Sequence, residues 1–346
     1  MLGVAVVLTA ASLFGTLGPL SRFAYEAGME PLAFVAWRGG IGFVATAAFV
    51  AWRIARRGRR LTRLADLNNR ARLSLGIAAV MGFVLNLFMF VAFDRITVAL
   101  ALLGFYTYPV MVAAGNVALG RERLDRPRVV ALMLAVIGMV AVVATQIDPT
   151  SGIRLDVVGV GLAIGAAFSQ AVFVILSRSG YRAVPADQAM GAVFAVTVVC
   201  SILVAIATGA TATLAYPLEA PSVVPLLAFT GLFAAAIPSM LFLIGIRLVG
   251  GTGAGILMLF EPVVGVVLAA WLLSEGLAPI QVLGGLAILA AALILQRTVL
   301  PGDRVVAAPA VEADTEPGEA DTEPSEAGTS SSDTSAAPLP VRGVEG

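Results

Sequence analysis

Histidine and lysine are absent from the 346 residues, and cysteine occurs once, at Cys200. The lone cysteine excludes an intramolecular disulfide, and with no histidine the usual zinc sites are excluded as well. Neither a His-Glu metal centre nor a Ser/Lys pair can be assembled, and the acids within the apolar runs are unpaired. An enzymatic reading therefore has nothing to stand on. Charge is scarce too, at 13% of residues against 59% hydrophobic, which is far from the composition of a soluble domain. No glycine-rich phosphate loop is present, which argues against ATP-driven transport by this chain alone. No filter-like loop or ring of charges suggests a channel. Because lysine is missing, every base is arginine, a bias given no mechanistic weight.

What the sequence has in place of charge is long apolar runs of about 20 residues, the thickness of a bilayer core. Their lack of alternation argues against barrel strands, and the need to pair every backbone group in lipid makes them helices. Ten spans are predicted, at about 3–24, 31–52, 73–93, 97–118, 128–146, 157–177, 187–208, 222–245, 253–273 and 280–298. Pro31, Pro127, Pro221 and Pro279 stand where helices start, since a missing N–H costs nothing there. The N-terminus opens inside an apolar run without a basic region, and is taken as a retained first span.

Two echoes run through these spans. Asp94-Arg95 with Tyr108-Pro109, Glu122 and Leu124 is matched by Arg247 with Glu261-Pro262, Glu275 and Leu277. The second echo pairs Leu20-Ser21-Arg22 and Tyr25 with Leu176-Ser177-Arg178 and Tyr181. Their offsets, 153 and 156 residues, imply a duplicated unit. Five spans per unit is an odd number, so the halves must lie upside down relative to one another. The expected fold is thus an all-α integral membrane protein of ten transmembrane helices in a 5+5 inverted repeat. Residues 1–150 form the first repeat, 151–300 the second, and 301–346 a disordered C-terminal tail. Such repeats build secondary carriers with a site near the midplane.

The formal net charge of zero hides a division: residues 1–300 carry 20 Arg against 12 acids, and the remainder 2 Arg against 10 acids. The tail's Ala, Pro, Ser, Thr and acids cannot bury enough surface to offset ordering. Eight arginines lie between Arg53 and Arg72, four more between Arg121 and Arg128, and Arg178, Arg182 and Arg247 follow in alternate links. The opposite links hold Arg22, Arg95 and Arg154. By the positive-inside rule both termini are cytoplasmic, in a cell (plasma) membrane protein. The basic loop of 53–72 is a topology signal that can touch anionic lipid, not a nucleic-acid site.

Several side chains stand out in the hydrocarbon. Glu261 is a mid-membrane carboxylate beside Pro262, suited to a substrate ammonium or a coupling proton. The alternative is a structural ion pair or a neutral carboxyl. Arg38 can grip a carboxylate; it can equally pair with Glu261 or a helix C-terminus, or snorkel outward. Asn86 and Gln170 are central amides, either interhelical bonds or substrate contacts. Tyr106, Thr107, Tyr108 and Asn116 give the fourth span a polar stripe near Pro109. Pro109 and Pro262 are the expected helix breaks. The pairs Gly161/Gly165 and Gly251/Gly255 are read as packing sites. Glu122 and Glu275 are read as structural groups at opposite faces, or gates bridged to arginines.

Taken together, Pro31 with Arg38, the Asp94-Arg95-Ile96-Thr97-Val98-Ala99 turn, Glu261-Pro262-Val263 before Ser274-Glu275-Gly276-Leu277, and Gly284-Gly285 resemble the EamA family of the drug/metabolite transporter superfamily. The likeness covers residues 1 to about 300. It implies a ten-helix carrier with a central cavity that exports amino acids or other small metabolites by alternating access. Nucleotide sugars or organophosphates are the alternative cargo. The implied partners are a small-molecule substrate, membrane lipid and a candidate coupling proton, with no cofactor; monomer and homodimer both fit. Tyr108 stands where a second Glu261 would be, so the halves are chemically unequal.

Overall fold

The computed structural model describes residues 2–58, 61–144, 156–273 and 278–298. Arg59, Arg60, Arg154, Ser274, Glu275, Gly276, Leu277 and the tail from 301 lie outside the described residues. Every regular element among the described residues is helical: α1 Leu2–Phe14, α2 Leu17–Glu26, α3 Pro31–Arg57, α4 Asn69–Arg95, α5 Val98–Phe105, α6 Tyr108–Ala118, α7 Arg126–Ala144 and α8 Val157–Ser179. Then come α9 Ala186–Thr208, α10 Tyr216–Glu219, α11 Val224–Gly231, α12 Ile237–Val249, α13 Gly251–Met258, α14 Glu261–Leu273 and α15 Pro279–Thr298.

Local chemistry fixes many of these ends. Pro31 opens α3 after extended Glu30, as the missing N–H allows. Asn68 caps α4 by accepting from Ala71 N at 2.8 Å, and Thr97 caps α5 through Leu100 N. Gly58 closes α3 at φ +60°, a conformation that suits glycine. Asp156 accepts from Val158 N at the start of α8 and pairs with Arg95 at 2.9 Å. Those contacts, the Arg95 bond first, hold its carboxyl below the usual range.

Among the described residues, seven helices are long and apolar enough to cross a membrane, and shorter apolar helices stand at Leu2–Phe14, Gly251–Gly265 and Pro279–Leu295. These three occupy the places of the first, ninth and tenth expected spans. The protein is thus a multi-pass, all-helical membrane protein. Large apolar side chains point outward, as Ile137, Phe168, Leu203 and Leu293 do on four different helices. In a lipid solvent that exposure carries no penalty, so the interior is free to be packed with small residues.

The first, fourth and ninth runs are interrupted, at Gly15-Thr16, Tyr106-Thr107 and Leu259-Phe260. Pro109 and Pro262 lie just beyond two of these interruptions, in the first turn of the resumed helix. Proline fits there because that turn has no intrahelical acceptor for its N–H to lose. In the eighth run, a π turn at Leu232–Ala236 joins α11 to α12.

The packing pairs α3 with α9, α7 with α15, and α6 with α13. It also places α4 against α8 and α1 against α12. Exchanging the two halves maps this set of contacts onto itself. The described parts of the links, Gly58, 61–68, 119–125, 180–185 and Gly250, gather at one end of the bundle. Ion pairs Arg53–Asp187 at 3.0 Å and Arg178–Glu122 at 2.6 Å join them there. At the other end, Trp37 donates to Leu214 O at 2.7 Å and Tyr216 donates to Ala27 O. The arginine-rich links therefore share one end.

Backbones approach most closely where α7 meets α15. A Cβ on Gly138 would lie 2.6 Å from Gly284 O, and one on Gly284 would lie 2.5 Å from Gly138 O. Of the glycine pairs expected to pack, Gly165 sits against Phe88 and Gly251 against Asn116. Gly255 makes only ordinary contacts, with Pro109 and Tyr108. Gly161 is exposed with nothing near it, so it has no packing role in this fold. Gly138→Ala is expected to force two backbones apart and lower stability by about 1–3 kcal/mol. Gly161→Ala should be neutral or stabilising, since alanine is the better helix former. Thermal unfolding of the two purified variants in detergent checks both statements.

Candidate functional site

Arg38 lies about a third of the way along α3, and its residue is 6% exposed. Nη1 donates to Ala234 O at 3.0 Å, Nη2 donates to Asn86 Oδ1, and Cζ sits 5.2 Å above the Phe90 ring. Each of these contacts is to a neutral group. The Ala234 carbonyl is free for a simple reason. Its helical partner four residues on would be Pro238, which has no N–H. The π turn ends just before that proline, as these one-turn irregularities do at functional places. Gly231 lets α3 come close, since a Cβ there would meet Ile41 Cβ at 2.6 Å.

Asn86 is held as firmly as the arginine it serves. Its Nδ2 donates to Gly82 O at 2.7 Å, which turns Oδ1 toward the guanidinium. The structure thus joins two residues that the sequence offered as separate candidates. Arg38 is neither snorkelled nor paired directly with Glu261; it is a buried cation among dipoles and a ring.

Glu261 opens α14, so its carboxylate stands at the positive end of that helix. The Tyr106 hydroxyl is hydrogen-bonded to it. Tyr108 lies within electrostatic reach, 1% exposed, with its hydroxyl buried and unpartnered. Its ring packs on Phe105 at 5.2 Å. Glu261 is surrounded by protein and its residue is half-buried. Arg38 is near enough for the two charges to be felt mutually, yet its two hydrogen bonds go elsewhere.

Three helix breaks converge on this residue. The Gly15 break packs against the Glu261 backbone, not its carboxylate: a Cβ on Gly15 would lie 2.7 Å from the main-chain Glu261 O. The Tyr106 break supplies the hydrogen bond, and Leu259-Phe260 immediately precedes Glu261 itself. Nearby, Asn116 Nδ2 reaches Thr252 Oγ1 at 3.4 Å, tying α6 to α13, while Asn116 Oδ1 is buried without a partner. Gln170 lies on α8 and is 7% exposed; no hydrogen bond joins it to this group among the described residues.

Sequence reasoning did not find the π turn, the Gly15 break or the buried Tyr25 hydroxyl. Pro238 in the eighth apolar run was the available signal for the first. A glycine inside an apolar run is too common in this chain to have signalled the second. Tyr25 showed only as half of a repeat echo.

At the arginine-rich end, Glu122 accepts from Arg178 of the second half at 2.6 Å, with the Glu122 side chain 6% exposed. Gly250, at φ +87°, is the single residue between α12 and α13. A Cβ there would collide with Arg178 Nη1, and its positive φ favours glycine, so the ion pair sits over a residue without a side chain. Arg247 donates to Val184 O at 2.8 Å and lies over the Tyr181 ring. Burial pushes the Tyr181 phenol up to about 12, against the opposing pull of Ser177 and Arg247. Glu275, the repeat counterpart of Glu122, lies outside the described residues. Among the described residues no cluster of three or more His, Cys, Asp or Glu could hold a metal ion.

Comparison with known proteins bears on what this arrangement is. A solved crystal structure, described only as that of a protein, superposes with a TM-score of 0.65 at 21% identity. The match covers 85% of this chain and 97% of the other, and at that identity it speaks to the fold alone. No curated protein matches the chain. The profile of the EamA-like transporter family matches residues 1–144 and again 157–297, one copy per half. With both halves matched, this chain is a member of the EamA-like transporter family, non-enzymatic membrane transporters.

Proposed function

We propose that the protein is a secondary carrier that exports amino acids or related small metabolites by alternating access. The observation that carries this reading is the separation of charge at the centre of the bundle. Arg38 is bonded only to neutral groups, and Glu261 is bonded to Tyr106. A zwitterion offers each of them the partner it lacks. Its carboxylate suits the planar guanidinium, and its ammonium suits the carboxylate. Burying two such charges apart from one another is costly, and a carrier recovers that cost when it binds its substrate.

In this reading ten spans form two inverted five-helix repeats, supported by the self-mapping pattern of helix contacts. The binding residues are Arg38, Asn86, Tyr108, Gln170 and Glu261, and Glu261 carries the coupling proton. Its half-helix setting is the membrane form of a helix-terminus site. The arginine-rich end faces the cytoplasm of a plasma-membrane protein. An exchanger of nucleotide sugars or organophosphates would call for several basic groups in the cavity. Among the side chains whose burial is described, Arg38 is the one fully buried base.

Counterflow of labelled amino acids in proteoliposomes is expected for the wild type. Glu261→Gln should abolish it or remove its dependence on pH while leaving the folded protein intact. Unchanged counterflow in that variant would demote Glu261 to a structural carboxyl. Asn86→Ala should weaken exchange about tenfold or more, because it strips a charge-assisted hydrogen bond of about 1.5–3 kcal/mol from Arg38. Orientation is open to direct measurement. In a Cys200→Ser background, Gly58→Cys should react with a membrane-impermeant maleimide only in inverted vesicles. Labelling from outside intact cells would reverse the topology.

A further inference from the structure

Tyr25 stands near the end of α2, and its hydroxyl is buried with no partner. A run of aromatic rings links it to the Arg38 guanidinium. The Tyr25 ring meets Phe34 edge-on at 6.0 Å, and Phe34 meets Phe90 edge-on at 5.1 Å. Phe90 is the ring beneath the Arg38 guanidinium. Tyr25 and Arg38 accordingly lie within electrostatic reach of each other. Asp94 is also within that reach, but it is exposed at the end of α4 and no hydrogen bond from Tyr25 goes to it.

A guanidinium has only donors, and a phenol has one O–H to give. Two of the guanidinium nitrogens already donate to Ala234 and Asn86. What a remaining guanidinium N–H and the Tyr25 hydroxyl share is the need for an acceptor, and a carboxylate can accept from both. The segment that carries Tyr25 is set off from its neighbours by a break at one end and a tether at the other. Between α1 and α2 lies the Gly15-Thr16 break, with Gly15 against the Glu261 backbone. Just past the other end of α2, Tyr216 donates to Ala27 O. Thus α2 is a ten-residue link from the carboxylate break to the guanidinium.

We propose that Tyr25 is a further substrate-binding residue, whose hydroxyl joins Arg38 in a subsite for the carboxylate of the transported molecule. The inference rests on the carrier reading above and adds to it a residue and an assignment of poles. The carboxylate end lies at Arg38 and Tyr25, on the α2 side, and the ammonium end at Glu261 and Tyr106. Closure of α2 about Gly15 brings the hydroxyl onto a bound substrate, and its withdrawal releases one hydrogen bond from that carboxylate.

The test is thermal stabilisation of the purified full chain by three probes: leucine, its amine-free analogue 4-methylpentanoate, and its carboxyl-free analogue 3-methylbutylamine. Wild type should be stabilised by leucine and by 4-methylpentanoate. Tyr25→Phe should bind both about tenfold more weakly, the loss of one charge-assisted hydrogen bond, with its response to 3-methylbutylamine unchanged. Without ligand, Tyr25→Phe should melt no lower than wild type, since it removes a buried hydroxyl that has no partner. Equal carboxylate binding by the two proteins would overturn the proposal, as would a loss that extends to the amine. No stabilisation of wild type by 4-methylpentanoate would overturn it too. The same weakening in Asp94→Asn would transfer the hydroxyl's role to Asp94 and overturn it as well. Failure of leucine counterflow, with Tyr25-dependent binding of 4-methylpentanoate intact, would sink the amino-acid cargo and leave the carboxylate subsite standing.

Discussion

A guanidinium that cannot lose its proton, placed deep in a membrane helix bundle, is the constraint around which the rest is arranged. Arg38 is stabilised by three dipolar or aromatic contacts, and each of them required something unusual from its own helix. Ala234 can accept because Pro238 cannot donate, and the π turn accommodates the misfit. Asn86 presents its oxygen because Gly82 O holds its nitrogen. Phe90 lies beneath the guanidinium because Phe34 packs against its edge. None of these supports neutralises the charge, so the site retains a field that favours an anion.

The second charge depends on a different device. Three runs break near one point, so that Glu261 begins a half-helix instead of lying within a whole one. Its carboxylate gains the positive end of α14 and a phenol, and the irregular backbone around it is enclosed by protein, the only setting in which such backbone is tolerated at membrane depth. The two halves are unequal here. Tyr108 opens the resumed helix of the first repeat where Glu261 opens that of the second. The first run of the first half breaks at Gly15, whereas α8 runs unbroken through Val157–Ser179. A duplicated architecture thus carries one acid and one broken opening span, which gives a symmetric shell a polar axis.

Closure at the arginine-rich end follows the same logic of one group yielding space to another. Glu122 and Arg178 come from different halves, and they meet over a glycine whose φ of +87° leaves no room for a side chain. The pair joins the C-terminal ends of two helices to the start of a half-helix, α13, that leads directly to Glu261. Rearrangement at this end is therefore mechanically continuous with the central carboxylate, through eight residues of helix.

Composition and periodicity alone determined the class of molecule: apolar runs of bilayer length, alternating arginine-bearing links, and a repeat whose offset of 153 residues recurs between Glu261 and Tyr108. These signals are local or additive, so a single chain states them openly. Arg38, Asn86, Tyr108, Gln170 and Glu261 could be singled out for the same reason, since a polar group in hydrocarbon is conspicuous wherever it falls. Which of them meet was not legible. That Arg38 bonds Asn86 and a carbonyl beside Pro238, and that Tyr106 is the partner of Glu261, depends on the angular placement of helices far apart in sequence. The positions of the breaks were hidden for a related reason: proline marks where a helix resumes, and only packing decides which residues before it are released. Sequence supplied the charges; tertiary structure decided that they are kept apart, because each was given neutral partners before it could reach the other.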